Sequence, residues 1–243
     1  LCLEGPIDPE VAVLAARSID GKPLGCMVNF SCHPTHLGGE GTVSAGYPGV
    51  MAGKLKEEGW PVALFLNGPS GNLHTSNPAD GGGMDMEQAG VKIAGDAMQV
   101  ISKLTFSSDF PIASCSKTVD LPYRRYSREE VEGKIRGAQR FIDTAIYDRG
   151  MPALLKRIDG RKSQPAEIQV LSIGSIDFAA FPAEYFVEFA LRIKEAVYPR
   201  HALAVATANG MVGYVPTKEA FARGGYETTF AGSSRLAPEA GDI

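Results

Sequence analysis

Apolar and polar positions follow two different periods in the N-terminal part of the chain. Residues 11–18 and 24–32 are apolar runs with β-branched side chains, and the turn between them contains Asp-Gly. This pattern is typical of a β-hairpin. Residues 46–59 instead place apolar side chains at helical spacing beside the charged stretch 54–58, and Gly59 suits a helix C-terminus. We therefore predict a hairpin followed by a helix.

The next part of the chain repeats this alternation of strand and helix. Residues 61–68 form a short apolar run, typical of a buried strand, that opens into a loop rich in Gly and Asn. Residues 84–104 have the apolar spacing of an amphipathic helix, and a strand is predicted at 111–121. Ser127 followed by Glu130 matches a capping box, which predicts a charged helix running to about residue 148.

The C-terminal part predicts further elements of both kinds. They are a hairpin of residues 167–174 and 175–182 around Gly174, a helix opened by Pro182-Ala183-Glu184 that reaches Val197, and a buried strand at 201–210. This order predicts an α/β fold with a mixed multilayer sheet and flanking helices. We expect residues 1–243 to form a single domain of the catalytic type.

Composition and charge exclude some classes of partner. With 243 residues, 44% hydrophobic, the chain is long enough to bury a sizeable core. Nucleic-acid binding normally requires clustered cations, and the net charge of −4 gives no sign of them. We therefore expect no nucleic-acid partner. No apolar run has the 18 or more residues of a membrane span. The 4 cysteines share no CxxC spacing and are expected to be small buried hydrophobic residues.

Polar and reactive residues gather where four of the predicted strands end. These clusters are HPTH at 33–36, NGPSGNLH at 67–74, PAEY at 182–185 and GYVP at 213–216. Strand ends of one sheet meet at a common edge, where α/β proteins usually hold their catalytic groups. We therefore expect these distant clusters to converge.

His33, Glu184 and Tyr214 are the residues in these clusters that suit a catalytic zinc ion. Such a site needs about three protein ligands and an open position for water. Each residue also has an ordinary explanation: His33 as a hydrogen-bonded turn residue, Glu184 as a helix cap, and Tyr214 as a half-buried aromatic. The spacing matches no local metal motif, so the residues alone leave both interpretations open.

Two further histidines have more than one explanation. His36 follows His33 closely, but both rings would reach one ion only if the loop folds tightly. The alternatives for His36 are to orient a metal ligand by contacting it, without binding the ion itself, or to have a purely structural role. His74 is a candidate general acid or base, and equally an exposed loop residue.

At these residues the sequence resembles the neutral/alkaline non-lysosomal ceramidases and their shorter bacterial relatives. The segments that carry the resemblance are VNFSCHPTHLGG, FLNGPSGNLHTSNP, SIDFAAFPAEYF and ATANGMVGYVPTKEAFARGGYETTFAGSS, which follow one another in the family's order. The resemblance implies a zinc-dependent (Zn2+) hydrolase that cleaves the amide bond of a ceramide-like lipid. It also favours a secreted or periplasmic location.

The resemblance also implies specific roles for site residues. His33 in the HPT turn, Glu184 and Tyr214 match the family's zinc ligands. Tyr226 in Gly-Tyr-Glu matches the tyrosine that would polarise the substrate carbonyl or stabilise the oxyanion. The Gly71-Asn72 turn is similar to the family's Gly-Asp-Val-Ser-Pro-Asn loop, and we expect it to bind the substrate.

The chain departs from the family pattern at two places. Asn72 and His74 stand where the family has aspartate and serine, so no nucleophilic serine can be assigned there. In addition, no His-x-His motif precedes Glu10, although the family takes its first zinc-binding histidine from such a motif. We therefore expect a catalytic core that is incomplete at its N-terminus, unless His36 or His74 supplies the missing nitrogen.

The sequence is compatible with three functions. The leading hypothesis is a zinc amidohydrolase in which His33, Glu184, Tyr214 and one more histidine hold the metal, with Tyr226 and His74 as catalytic residues. The second is a catalytically silent relative that binds lipid or carbohydrate. The third is an esterase or peptidase that uses the same site.

Overall fold

The computed structural model describes residues 4–36, 41–75, 82–134 and 144–243, and these form three β-sheets with packed helices. The strands are β1 (Ala12–Arg17), β2 (Pro23–Phe30), β3 (Ala63–Asn67), β4 (Ile112–Pro122), β5 (Ser163–Ile173), β6 (Ile176–Ala180), β7 (Glu184–Tyr185), β8 (His201–Val205) and β9 (Tyr214–Val215). The helices are α1 (Gly46–Glu57), α2 (Met86–Ile101), α3 (Arg128–Val131), α4 (Thr144–Ile158), α5 (Val187–Val197) and α6 (Lys218–Arg223). The predicted mixed α/β fold is confirmed.

The first sheet has the strand order β1-β2-β3 and contains the predicted hairpin. β1 and β2 pair antiparallel, whereas β2 and β3 run parallel, with Phe30 opposite Asn67. Helices α1 and α2 pack against each other and supply most of one core, including Met51, Leu55 and Ala97, all of them fully buried. The apolar spacing of α1 and α2 therefore predicted the helices that cover this sheet.

The second sheet has the order β4-β5-β6-β8, with antiparallel pairs except for the parallel pair β6 and β8. Helix α5 packs on β8, and a second core contains Phe181, Phe189 and Ala204. Strand β4 is an edge strand with mostly exposed residues, so Cys115 is exposed rather than buried as predicted. Cys26 is buried as predicted, and Cys2 lies outside the described residues.

The helix predicted from Pro182 begins later, at Val187. Glu184 instead belongs to β7, which pairs in parallel with β9 so that Glu184 lies opposite Tyr214. The amide of Glu184 donates to the carbonyl of Gly213 at 3.0 Å, which commits that backbone to an extended conformation before the helix can start. The strand ends thus belong to more than one sheet, and the expectation of one shared sheet edge is wrong.

The charged helix predicted from Ser127 is also shorter than expected. Both halves of the capping box between Ser127 and Glu130 are present, but α3 ends at Val131. Gly133 has a positive φ of 68°, a conformation that terminates a helix. Residues 135–143 lie outside the described residues, and α4 follows them.

A buried side chain connects the two larger sheets. Asn29 of β2 donates from Nδ2 to the carbonyl of Leu66 at 2.9 Å and to the carbonyl of Ala204 at 3.0 Å. The amide of Ala206 donates to the carbonyl of Asn67 at 2.8 Å. These bonds bring the ends of β2 and β3 beside the chain that leaves β8.

Within the described residues, no helix has both the length and the apolar character needed to cross a membrane.

Candidate active site

Three of the predicted site residues lie together although they come from distant parts of the chain. His33 Nε2 is 3.8 Å from Glu184 Oε1, and these two side chains are only 13% and 17% exposed. The ring of Tyr214 meets the ring of His33 edge-on, with centroids 6.3 Å apart. The structure therefore brings an imidazole, a carboxylate and a phenol together in a largely buried cluster.

Tyr226 is the fourth member of this group. Its hydroxyl lies 2.9 Å from the hydroxyl of Tyr214, and the two rings are nearly perpendicular with centroids 5.4 Å apart. The pair connects the short strand β9 to the 3-10 helix Tyr226–Thr228, which follows α6. His33, Glu184, Tyr214 and Tyr226 thus form one cluster, which we call the His-Glu-Tyr cluster.

The backbone that carries His33 is fixed by α1. The hydroxyl of Tyr47 donates to the carbonyl of Cys32 at 2.8 Å, directly before His33. Gly46 begins α1 with a positive φ of 58° and lies against the carbonyl of Pro34, so a larger residue there would be strained. These contacts hold the turn at the end of β2 in one orientation.

The backbone that carries Tyr214 is fixed in a comparable way. The amide of Tyr214 donates to the carbonyl of Ser233 at 2.7 Å. Gly213 has a φ of 91°, and a Cβ atom there would lie 2.3 Å from the same carbonyl oxygen. Only glycine therefore allows this close approach beside Tyr214.

The Gly71-Asn72 turn packs directly on the segment that carries Glu184. The amide of Gly71 donates to the carbonyl of Tyr185 at 2.8 Å, and a Cβ atom on Gly71 would lie 2.5 Å from the carbonyl oxygen of Glu184. Asn72 Oδ1 accepts from the amide of Val187 at 2.9 Å at the start of α5. Substrate binding by Gly71 and Asn72 stays a prediction beside this positioning role.

Sequence reasoning missed this cap on α5. Phe186 occupies the N-cap position and provides no side-chain hydrogen bond to the helix. Asn72 supplies that bond from a distant loop, and its Nδ2 also donates to Glu188 at 2.9 Å. A helix capped from another part of the chain leaves no local capping motif in the sequence.

His74 lies beside the turn that carries His33. Its Nε2 atom is 3.4 Å from the hydroxyl of Thr35. Burial lowers the pKa of His33, and the nearby charge of His74 lowers it further. These contacts place His74 close to the His-Glu-Tyr cluster, and its acid-base role stays a prediction.

His36 occupies a different environment. Its Nε2 lies 3.1 Å from the carbonyl of Met84, and its ring packs edge-on against Tyr47 with centroids 5.7 Å apart. Its Nδ1 is buried without a hydrogen-bond partner in the described structure. The loop residues 37–40 and 76–81, which adjoin His36 and His74, lie outside the described residues.

Burial shifts the pKa of each member of the cluster towards its uncharged form. Burial raises the pKa of Glu184, only partly offset by the Tyr214 hydroxyl, and burial is also the main cause that raises the pKa of Tyr214 and Tyr226. His33 Nε2 is buried and has no hydrogen-bond partner in the described structure. An uncharged imidazole nitrogen without a donor, next to a buried carboxylate, is a combination that a metal ion would satisfy.

The cluster alone is a small donor set. Among the described residues, no group of three or more His, Cys, Asp and Glu side chains is arranged to hold a metal ion. A zinc site at His33 and Glu184 would therefore need at least the phenol of Tyr214 as a third protein ligand. A further ligand from His36 or His74 stays a prediction.

Two cavities meet at His74. One, of about 590 Å³, is lined largely by apolar side chains, among them Ile7, Phe30, Leu73 and Ile93. The other, of about 510 Å³, is lined by Asn72, Phe186 and several charged residues. An apolar compartment thus lies next to the histidine that adjoins the cluster.

Comparisons with known proteins identify the fold. No protein-family model matches the chain, and no curated protein matches it significantly. Solved structures that match it in fold include two ceramidases. A neutral ceramidase from Pseudomonas aeruginosa has a TM-score of 0.69 and 21% identity, over 97% of this chain and 44% of that chain. A ceramidase complexed with C2 has a TM-score of 0.70 and 19% identity, over 97% of this chain and 46% of that chain. The chain therefore has the fold of these structures and spans less than half of their length.

Proposed function

We propose that this protein is a zinc-dependent hydrolase that cleaves the amide bond of an N-acyl lipid similar to ceramide. The observation that carries the proposal is the His-Glu-Tyr cluster, in which His33 Nε2 lies 3.8 Å from Glu184 Oε1 and both side chains are largely buried. The similarity of fold to two ceramidase structures supports the same conclusion.

The residues of the cluster fit a zinc ion chemically. His33 offers a buried nitrogen without a hydrogen-bond partner among the described residues, Glu184 a buried carboxylate, and Tyr214 a phenol oxygen. Zinc in proteins takes nitrogen and oxygen ligands of this kind, and when bound it polarises a carbonyl and lowers the pKa of a water molecule to about 7. The fourth ligand is proposed to be His36 or, in place of the acid-base role described below, His74.

Tyr226 is the group proposed to act on the substrate carbonyl. Its hydroxyl is 2.9 Å from the hydroxyl of Tyr214, so its position is fixed before the substrate binds. A tyrosine phenol is protonated at neutral pH, and burial, the first cause, raises the pKa of Tyr226 further. A protonated phenol donates a hydrogen bond to the amide oxygen as negative charge develops on it.

His74 is proposed to transfer the proton that amide cleavage requires. In hydrolysis the C–N bond breaks, the hydroxide part of water joins the acyl carbon, and the nitrogen leaves with an added proton. His74 adjoins the cluster through Thr35 and faces both cavities, where a leaving amine would lie. Histidine can release and recover a proton near neutral pH.

The apolar cavity favours a lipid over a peptide as the substrate. Its volume of about 590 Å³ falls within the range of small-molecule sites, and Phe30, Leu73 and Ile93 contribute apolar walls. Hydrocarbon chains gain about 0.8 kcal/mol for each buried CH₂ group. A substrate with an acyl chain therefore gains binding free energy here that a polar peptide does not.

Turnover of N-acyl amides tests the proposal. The purified protein is incubated with zinc and fluorogenic N-acyl amides of increasing chain length, and with ester and peptide analogues. We expect amide turnover that increases with chain length, stops on chelation and returns with zinc.

The other outcomes separate the rival functions. Preferred cleavage of the ester or the peptide keeps the site but changes the substrate class. Tight lipid binding without turnover of any analogue indicates a catalytically silent relative. Asn72 gives one reason for such a loss of activity, because its side chain has a structural use in hydrogen bonds to Val187 and Glu188.

A further inference from the structure

A buried arginine lies away from the His-Glu-Tyr cluster without a counter-ion. Arg235 is only 5% exposed, and among the described residues no carboxylate forms an ion pair with it. Its guanidinium donates to Gln164 Oε1 at 3.1 Å and to the carbonyl of Gly232. Burial lowers the pKa of Arg235, and the charge of Arg157 lowers it further. A buried charge without an opposite charge costs free energy, so Arg235 lacks the counter-ion that would offset this cost.

Two more arginines line the same cavity, which has a volume of about 360 Å³. Arg157 and Arg161 are both exposed, and neither forms an ion pair with a described residue. Glu167 is the acidic member of the described lining. Three guanidinium groups and one carboxylate leave a net charge of +2 around this cavity.

Gln164 provides a second unsatisfied group at the cavity. Its Oε1 atom accepts from Arg235 and from the hydroxyl of Tyr123, the latter at 3.2 Å. Because a guanidinium can only donate, this orientation of the amide is required, and Nε2 must point elsewhere. Gln164 Nε2 is buried and has no hydrogen-bond partner in the described structure. The cavity therefore combines excess positive charge with a buried donor that lacks an acceptor.

We propose that this cavity is an anion site that binds a phosphate group. Phosphate oxygens are hydrogen-bond acceptors, which both the arginine forks of the lining and Gln164 Nε2 can use as partners. The charge of a phosphate monoester, close to −2, matches the excess of the lining. The phosphate can come from free phosphate or from the head group of an acidic lipid, since the chemistry recognised is the same.

The site is separate from the His-Glu-Tyr cluster but close to its backbone. The cavity is also lined by Pro182 and Val212, whose backbones are joined by a hydrogen bond of 2.6 Å from the Val212 amide to the Pro182 carbonyl. These residues precede Glu184 and Tyr214 by two positions each. The proposed site does not depend on the proposed hydrolase activity, and its test measures binding alone.

The test compares two double variants at constant ionic strength. Arg157→Gln with Arg161→Gln removes two charges from the cavity. Arg149→Gln with Lys156→Gln removes two exposed charges from α4 that do not line it. Phosphate binding is measured by calorimetry, and lipid binding by co-sedimentation with phosphatidylcholine vesicles that contain or lack phosphatidic acid.

We expect the cavity variant to weaken binding at least about 10-fold, because each lost charged hydrogen bond is worth roughly a factor of 10, and the control variant to retain it. Binding of free phosphate identifies the soluble source, and binding confined to the phosphatidic acid vesicles identifies the lipid head group. Arg235→Lys keeps the charge but loses the fork, so it should also weaken binding. The double variants decide the question even if Arg235→Lys fails to fold. Absence of binding to both probes, or equal losses in both double variants, would overturn the proposal.

Discussion

His33 Nε2 and Glu184 Oε1 lie 3.8 Å apart, and the histidine nitrogen is buried without a hydrogen-bond partner in the described structure. A buried nitrogen and a buried carboxylate at this distance are too far apart for a hydrogen bond, yet close enough to share one cation. This relationship determines which variants test the proposed metal site.

His33→Ala and Glu184→Ala should each remove most of the zinc from the purified protein. Each change deletes one of the proposed ligands, and the remaining donors do not complete the coordination of the ion. Zinc content is measured by mass spectrometry of the dialysed protein. His201→Ala is the control, since His201 is exposed at the start of β8 and should leave zinc unchanged. Full zinc content in both site variants would exclude this ligand set.

Tyr226→Phe should lower kcat by about 100-fold and leave KM nearly unchanged, as removal of a donor to a developing oxyanion usually does. The ring and its packing against Tyr214 are kept, so the fold should not change. Steady-state kinetics on the best N-acyl substrate provide the measurement. Tyr198→Phe is the matched control, because Tyr198 is 81% exposed. An equal loss in both variants, or a change confined to KM, would contradict the assigned role.

Asn72→Ala should lower the free energy of unfolding by about 2 kcal/mol, since it removes the cap of α5 and one hydrogen bond to a carboxylate. Urea denaturation followed by circular dichroism measures the change. Asn72→Asp is an informative companion: it keeps the acceptor for the Val187 amide but places a carboxylate against Glu188. It should therefore be destabilised more at pH 7 than at pH 4. Wild-type stability in both variants would show that the loop is not held in this way.

Asp177 makes a pH-dependent contribution to stability. Two hydrogen bonds of 2.6 Å from Arg200 are the main cause that lowers its pKa to about 2, from an ordinary value of 3.8. Its ionised form therefore stabilises the fold above pH 3.8, and this contribution is lost as the pH falls towards 2. Because Arg200 is 44% exposed, we expect about 1 kcal/mol rather than the full value of the shift.

Asp177→Asn should accordingly be less stable than the wild type at pH 7, with a difference that shrinks below pH 4. Urea unfolding at a series of pH values provides the measurement. Asp159→Asn is the control, because Asp159 is exposed and forms no ion pair with a described residue. A difference that stays constant from pH 7 to pH 3 would show that the ion pair with Arg200 is not its cause.

Local patterns predicted the elements whose determinants are themselves local. The hairpin of β1 and β2, the amphipathic helix α2 and the capping box at Ser127 all follow from a few neighbouring residues. Most of helix α4 was not predicted, because the helix predicted from Ser127 ended at about residue 148. Gly150 and Pro152 are poor helix formers, yet α4 continues through both. Its buried residues Met151, Leu154 and Ile158 pack against Phe230, and this packing outweighs the local propensity.

The candidate site was predictable only in part for the same reason. His33, Glu184, Tyr214 and Tyr226 were identified from short motifs and family resemblance, and the structure brings them together. The strand β7 has only two residues and depends on a partner near residue 214, so no local period reveals it. The role of Asn72 in capping α5 is equally non-local.

The boundary between the two cores, which we call the seam, also affects how fast nearby backbone amides exchange with solvent. His33 follows the sheet covered by α1 and α2, whereas Glu184 and Tyr214 adjoin the second core. A cation bound by residues next to both cores would link the two parts of the protein, so its binding free energy would oppose their separation. The amide of Ala206, whose hydrogen bond to Asn67 crosses this seam, should then exchange its proton with solvent more slowly when zinc is present.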